Sequence, residues 1–290
     1  MNDDDPFSVQ TLKIDGELVT ISTPTNYKPS GVTFLLPGAE IGVEEYNSHR
    51  DVLIAKRQIV LSFFINVLWP LKDNHRIRAK QVKHIFDNCH KQLFPYLPEL
   101  YNIVGHSVGG KIALLVPVLY DPNRVQTIIA LDPVDQAPTE FTNTNGDENL
   151  SLFRLVSSTI IMTCTDGGCG ISTDHNAEAI HKINLNNTIL VRHNGAGHMA
   201  YTDHGGRCLG DICPKGTPEG DKAAWNGAHE LIRHSIGPTV KKHIITKVTE
   251  VPKTNMKRRL LLEKMRFVVQ LFLLMLIMIM IVFTRDRKHF

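Results

Sequence analysis

The sequence predicts an α/β protein whose mostly parallel central sheet is covered by helices on both faces. Short apolar runs alternate with segments of helical spacing, the pattern of strands buried on two sides. One of these runs passes into a helix through the glycine-rich stretch Ile103–Lys111. At 290 residues, 42% hydrophobic and 21% charged, the chain has the size and composition of an ordinary globular protein with one large domain.

The first 30 residues alternate as strands do, with a hairpin at Asp15-Gly16 joining Thr11–Ile14 to Leu18–Ser22. Val32–Leu36 is a short buried strand ending in Pro37-Gly38. Glu45–Arg57 reads as a helix, Ile59–Asn66 as a buried strand, and Arg76–Phe94 as a helix with apolar residues at 77, 82, 85, 86 and 93. Strand Leu100–Val104 leads through the glycine-rich turn into helix Val108–Leu119. Strand Val125–Leu131 precedes a polar stretch, Asp135–Asn149, expected to run over the rim of the site. Strand Ser158–Cys164, helix Thr173–Lys182 and strand Thr188–Arg192 follow, and the amphipathic helix Asp221–Ser235, stopped by Gly237-Pro238, closes the domain. No internal repeat is visible.

The turn at 103–111 carries two motifs at once. Gly105-His106-Ser107-Val108-Gly109 is a G-x-S-x-G nucleophile elbow, in which a serine sits on a tight strand-to-helix turn. Gly105 to Gly110-Lys111 also fits G-x-x-x-x-G-K, the opening of a phosphate-binding loop. That loop needs Ser or Thr after the lysine to hold magnesium, and here stands Ile112. The elbow therefore leads, no nucleotide is expected, and Lys111 reads as an ordinary residue of the following helix.

A serine hydroxyl needs a base within hydrogen-bond reach and a carboxylate to orient that base. In the α/β-hydrolase order, with the elbow after the third central strand, the acid and then the histidine follow the serine. His198, in the glycine-rich turn Asn194-Gly195-Ala196-Gly197-His198-Met199, fits the base better than His193 or His204. For the acid the residues leave Asp132 and Asp166 open, each ending a strand, with Asp135 a third candidate read as a loop residue. The oxyanion donors expected are the amide of Val108, next after the serine, and that of Ala39 in the loop Pro37-Gly38-Ala39-Glu40. This chemistry calls for no cofactor and no metal.

Net charge +3 argues for no nucleic-acid partner. Much of the basic character brackets Phe267–Phe283, seventeen residues that are apolar except Gln270, at the short end of a bilayer-spanning helix of roughly 17–25 residues. The expected organisation is a catalytic domain over 1–250, a basic linker over 251–266, a transmembrane tail anchor over 267–284 and a short tail over 285–290. With no apolar segment near the N-terminus, the domain is expected on the cytosolic side of a membrane. The five cysteines fit a reducing compartment with at least one free thiol. Cys164/Cys169 and Cys208/Cys213, with His175, His181 and His204 near them in sequence, read as two unrelated loop pairs rather than a metal site. Sequons at Asn149 and Asn186 matter only for a luminal domain.

Four segments in order, Leu36-Pro37-Gly38, Gly105-His106-Ser107-Val108-Gly109-Gly110-Lys111, Leu131-Asp132-Pro133-Val134-Asp135 and Gly197-His198-Met199, resemble the motifs of the chlorophyllases. These are α/β-hydrolases related to the platelet-activating-factor acetylhydrolases, and the likeness spans roughly residues 30–240. The resemblance implies Asp132 as the acid and hydrolysis of the phytyl ester of chlorophyll. The wider expectation is a membrane-anchored ester hydrolase acting on a lipid-like ester, with a phospholipid or acylglycerol as the alternative substrate. A non-catalytic protein on the same fold, binding a lipid or a partner, would have no chemical need of Ser107 and His198.

Overall fold

Asp15 and Gly16, both with positive φ (51° and 85°), make the two-residue turn that starts the sheet. In the computed structural model the described residues are 6–66, 74–135, 138–142, 150, 152, 158–167, 175–184, 188–204, 213 and 215–237. The turn joins β1 (Phe7–Ile14) to β2 (Glu17–Pro24), paired antiparallel from Ile14↔Glu17 to Phe7↔Pro24. Both strands are longer than the sequence suggests. Most of β1 is exposed, so no apolar alternation marks its outer half.

The remaining strands are β3 (Gly31–Leu36), β4 (Gln58–Phe63), β5 (Tyr101–His106), β6 (Val125–Leu131), β7 (Thr159–Gly167) and β8 (Thr188–Gly197). They form one eight-stranded sheet in the order β1-β2-β4-β3-β5-β6-β7-β8. Only the β1–β2 and β2–β4 pairings are antiparallel. Alternate residues feed two cores. Phe34, Leu36, Ile59, Leu61, Ile103, Ile128 and Met162 face one side, and Leu35, Val60, Val104, Ile129 and Ile161 face the other. The first side is closed by α2 (Asn74–Leu93), α3 (Val108–Leu119) and α4 (Ala177–Ile183), the second by α1 (Asn47–Ala55) and α5 (Pro218–Ser235). Burial on both faces is what makes these strands read as continuous apolar runs.

Several boundaries depart from expectation. Glu45–Arg57 is two pieces, a 3-10 turn (Val43–Tyr46) followed by α1. α5 begins at Pro218, because the Thr217 side chain accepts from the Gly220 N–H (3.0 Å) as N-cap and proline suits the first helical position. β8 does not stop at Arg192 but continues through Gly197, so the expected glycine-rich turn is strand, and His198 opens a 3-10 turn (His198–Tyr201).

Lys111 is not an ordinary helix residue. It is fully buried on α3, with Nζ 3.1 Å from Asp135 and donating to the Pro138 carbonyl. Asp135 is equally buried and accepts from the N–H groups of Glu140, Phe141 and Thr142 and from the Thr142 hydroxyl. The start of the polar stretch is therefore tied to the elbow helix, with Phe141 in the core; residues 143–149 lie outside the description.

Cys89 and Cys164 are free and buried, whereas Cys213 is disulfide-bonded, which runs against a uniformly reducing environment. Among the described residues no helix is long and apolar enough to cross a membrane. The expected span Phe267–Phe283, both sequons, Cys169 and Cys208 lie outside them.

Candidate active site

β5 delivers Ser107 at its carboxyl end, and the backbone there is strained. Ser107 has φ 56° and ψ −121°, a combination that L-residues rarely adopt. The close quarters explain the flanking glycines: a Cβ on Gly105 would collide with the Gly109 carbonyl, and one on Gly109 with the carbonyls of Leu36 and Pro37. The Ser107 N–H donates to the Leu131 carbonyl (2.9 Å). Its own carbonyl begins α3 by accepting from Lys111 N–H (3.1 Å).

The structure sets His198 and Asp132 in line with that serine. His198 Nε2 lies 2.9 Å from Ser107 Oγ, and His198 Nδ1 lies 2.7 Å from Asp132 Oδ2. Asp132, at the end of β6, turns its backbone to φ 45° and is held by β7 on both sides. Its N–H donates to Thr163 Oγ1 (3.0 Å), and its carboxylate accepts from the Thr165 N–H (3.1 Å) and hydroxyl (2.6 Å). Burial alone would raise this carboxyl; the His198 imidazole and Thr165 outweigh it and hold it below the usual carboxylate range. Ser107, His198 and Asp132 are recessed, 9%, 2% and 4% exposed.

Asp166 goes elsewhere. Its carboxylate accepts from the Gly195 N–H (2.6 Å), and Asp221 at the start of α5 accepts from the Gly197 N–H (2.7 Å). These two carboxylates grip the end of β8 just before His198. Gly220 lets α5 approach, since a Cβ there would collide with the Gly195 carbonyl. Asp135, the third candidate acid, is committed to Lys111 and the 140–142 amides. His193 packs its ring on Tyr201, 6.1 Å between centroids, and His204 meets Glu45 at 3.3 Å on the surface.

The loop after β3 lies against the serine: a Cβ on Gly38 would sit 3.4 Å from Ser107 Cβ. Its neighbouring amides are spent, Gly38 N–H on the Tyr46 hydroxyl (3.0 Å) and Glu40 N–H on the Ile65 carbonyl (3.2 Å). The Ala39 amide between them, and the Val108 amide at the first position of α3, donate to no other group among the described residues. A helix N-terminus adds favourable potential for negative charge near Val108. A hydroxyl linked through an imidazole to a buried carboxylate can pass its proton to the ring as the oxygen attacks a carbonyl.

Sequence reasoning missed the supporting residues Thr163, Thr165, Asp221 and Tyr46, and the contact of His106 Nε2 with the His198 carbonyl oxygen (2.9 Å). His106 stood inside the elbow motif, and Thr163 and Thr165 share one face of β7, but nothing local marks their partners. Among the described residues no group of three or more His, Cys, Asp or Glu could hold a metal ion. His175 instead meets Thr142 (2.8 Å) and His181 meets Thr188 (2.7 Å).

No protein-family model and no curated protein matches the chain. Solved structures do. A dienelactone hydrolase-like promiscuous phosphotriesterase from metagenomic libraries superposes with TM-score 0.60 at 10% identity, over 80% of this chain and 100% of that one. A putative dienelactone hydrolase from Klebsiella pneumoniae gives TM-score 0.54 at 14% identity, over 78% and 98%. A thermostable esterase from Pseudomonas putida gives 0.53 at 13%, over 82% and 86%. The chain has the α/β-hydrolase fold. At such identities the likeness speaks for the fold, with the serine elbow after β5 where that fold carries it.

Proposed function

We propose that the protein is a serine carboxylic-ester hydrolase that works through an acyl-enzyme on Ser107. The observation that carries the reading is the unbroken contact Ser107–His198–Asp132, 2.9 and 2.7 Å, at a strained elbow beside two unspent amides. His198 takes the Ser107 proton as Oγ bonds to the ester carbonyl carbon. The oxyanion is met by the amides of Val108 and Ala39. His198 then returns the proton to the leaving alcohol as the C–O bond breaks. Water attacks the acyl-serine with His198 as base, releasing the acid and restoring Ser107. Asp132 keeps the imidazole proton on Nδ1, so that Nε2 is free to accept.

The favoured substrate is the phytyl ester of chlorophyll, cleaved to chlorophyllide and phytol. Its support is the ordered set of motifs shared with the chlorophyllases, including Asp132 in the Leu131–Asp135 segment. A second reading keeps the chemistry and takes another lipid ester, a phospholipid or acylglycerol. It is favoured by the valine side chain at 108, where plant chlorophyllases usually carry arginine. Either substrate partitions into a bilayer, and the apolar segment Phe267–Phe283 is proposed to hold the enzyme beside it.

The test is the detergent-solubilised full chain with chlorophyll a and, separately, with a short p-nitrophenyl ester, each alongside Ser107→Ala. Release of chlorophyllide by the unaltered chain alone is expected. Cleavage of the short ester only would reject chlorophyll and keep the hydrolase; equal activity in Ser107→Ala would reject the mechanism. Deleting 267–290 should free the protein from membranes, and continued co-sedimentation with them would contradict the anchor.

A further inference from the structure

The hydrolytic scheme leaves unused a chain of hydrogen bonds that runs from the loop after β3 to the base. The Gly38 N–H donates to Tyr46 Oη (3.0 Å), Tyr46 Oη and His106 Nδ1 are 2.7 Å apart, and His106 Nε2 is 2.9 Å from the His198 carbonyl oxygen. The proton positions follow from the two ends. A carbonyl only accepts, so His106 Nε2 carries the ring proton. In the neutral ring Nδ1 is then an acceptor, and the Tyr46 hydroxyl donates its single proton there while keeping a lone pair for Gly38 N–H. Each hydrogen bond then has one donor and one acceptor, and the polarity runs unbroken from Gly38 to His198.

A second proton on His106 would break this order, because it would leave the Tyr46 proton with no acceptor. Tyr46 and His106 are each 1% exposed, and burial, reinforced by the His198 ring, pushes His106 down to about 3. The His106 and His198 rings lie 4.8 Å apart. A neutral His106 adds no like charge when His198 takes up the serine proton. The chain also spends the Gly38 amide, which leaves Ala39 as the loop's free donor.

We propose that Tyr46 and His106 are positioning residues for the reaction: they fix the separation between the oxyanion loop and the His198 main chain across Ser107. This rests on the serine-hydrolase reading of that site. Neither side chain touches the reacting atoms; both act through the groups they hold. Misplacing reacting groups by about 1 Å can cost up to about 10²-fold in rate.

The experiment measures kcat and KM on a soluble p-nitrophenyl ester, with thermal denaturation of each variant and Ser107→Ala as reference. Tyr46→Phe and His106→Leu are each expected to lower kcat by about 10- to 100-fold with KM within about threefold. His106→Gln, whose amide NH2 can donate to the His198 carbonyl while its oxygen accepts from Tyr46, should recover most of the loss. The combination Tyr46→Phe/His106→Leu should lose no more than the worse single variant, since both cut one chain. If Ser107→Ala stays active, the hydrolytic reading itself fails. With Ser107→Ala inactive, the proposal is overturned if Tyr46→Phe keeps kcat within about twofold, if His106→Gln is no better than His106→Leu, or if the two losses multiply. Should Tyr46→Phe fail to fold, the contrast between His106→Gln and His106→Leu decides.

Discussion

Asparagine at position 132, set against asparagine at 166, separates the two carboxylates that the sequence leaves open. Asp132 receives three donors in a buried site: His198 Nδ1–H at 2.7 Å, the Thr165 hydroxyl at 2.6 Å and the Thr165 N–H at 3.1 Å. In Asp132→Asn the amide NH2 must face one of them. Placed at the Thr165 N–H, it opposes donor to donor in a buried site, at a cost of about 1–3 kcal/mol. Placed at His198, it forces the ring to accept at Nδ1 and to carry its proton on Nε2, pointed at Ser107. A base in that tautomer cannot take the serine proton, and the loss expected is about 10³- to 10⁴-fold in kcat, or about 4–5 kcal/mol of barrier. Among the described residues Asp166 accepts one bond, from the Gly195 N–H, and the oxygen of an asparagine preserves it. Asp166→Asn should therefore stay within about tenfold of the unaltered chain. Steady-state kinetics on a short p-nitrophenyl ester read both. A larger loss in Asp166→Asn than in Asp132→Asn would refute the assignment.

The buried pair Lys111–Asp135 should respond asymmetrically to truncation. Asp135→Ala strands a buried ammonium and the 140–142 amides and should cost about 3–5 kcal/mol, whereas Lys111→Met leaves Asp135 with four donors and should cost about 2 kcal/mol. Urea melts giving the opposite order would contradict this. Acid should destabilise the fold. Burial lowers His49 and His75 to about 4 and His106 to about 3, so below the ordinary value near 6.5 the unfolded chain binds protons the folded chain refuses. Stability is then lost as pH falls from about 6.5 toward 4, by up to about 1.4 kcal/mol per pH unit for each histidine. A melting temperature unchanged between pH 7 and pH 5 would show that these rings are not buried as neutral groups. Gly109→Ala drives a methyl into the Leu36 and Pro37 carbonyls and should lower stability by about 3 kcal/mol or more, or prevent folding. A melting temperature equal to that of the unaltered chain would contradict the close packing of the elbow.

The fold was legible where local signals bound both ends of an element. α3 and β6 fall at the residues the sequence marks, one opened by the elbow and the other closed by Asp132-Pro133. Boundaries set by distant partners were not legible. β8 runs on to Gly197 because β7 pairs with it, and α5 begins where Thr217 caps it, features that no apolar period reveals. That Ser107 and His198 would face each other could be read from spacing and chain order alone. Which carboxylate would face His198 could not, because strand ends carry no information on side-chain direction; the positive φ of Asp132 and its clasp by Thr163 and Thr165 aim one carboxylate at His198, while Gly195 captures the other. Lys111 looked ordinary because its partner, Asp135, lies in a loop beyond another strand. His106 was in plain view as the variable residue of the elbow, yet its role depends on Tyr46 and on a backbone carbonyl far along the chain.

Covalent capture tests the central claim most directly. The full chain is mixed with a fluorophosphonate, and intact-mass and peptide mapping locate the adduct. A single phosphonyl group on the peptide bearing Ser107, absent in Ser107→Ala and slowed severalfold or more in Asp132→Asn, is the expected result. An adduct that persists in Ser107→Ala, or no adduct on the folded protein, would contradict the account.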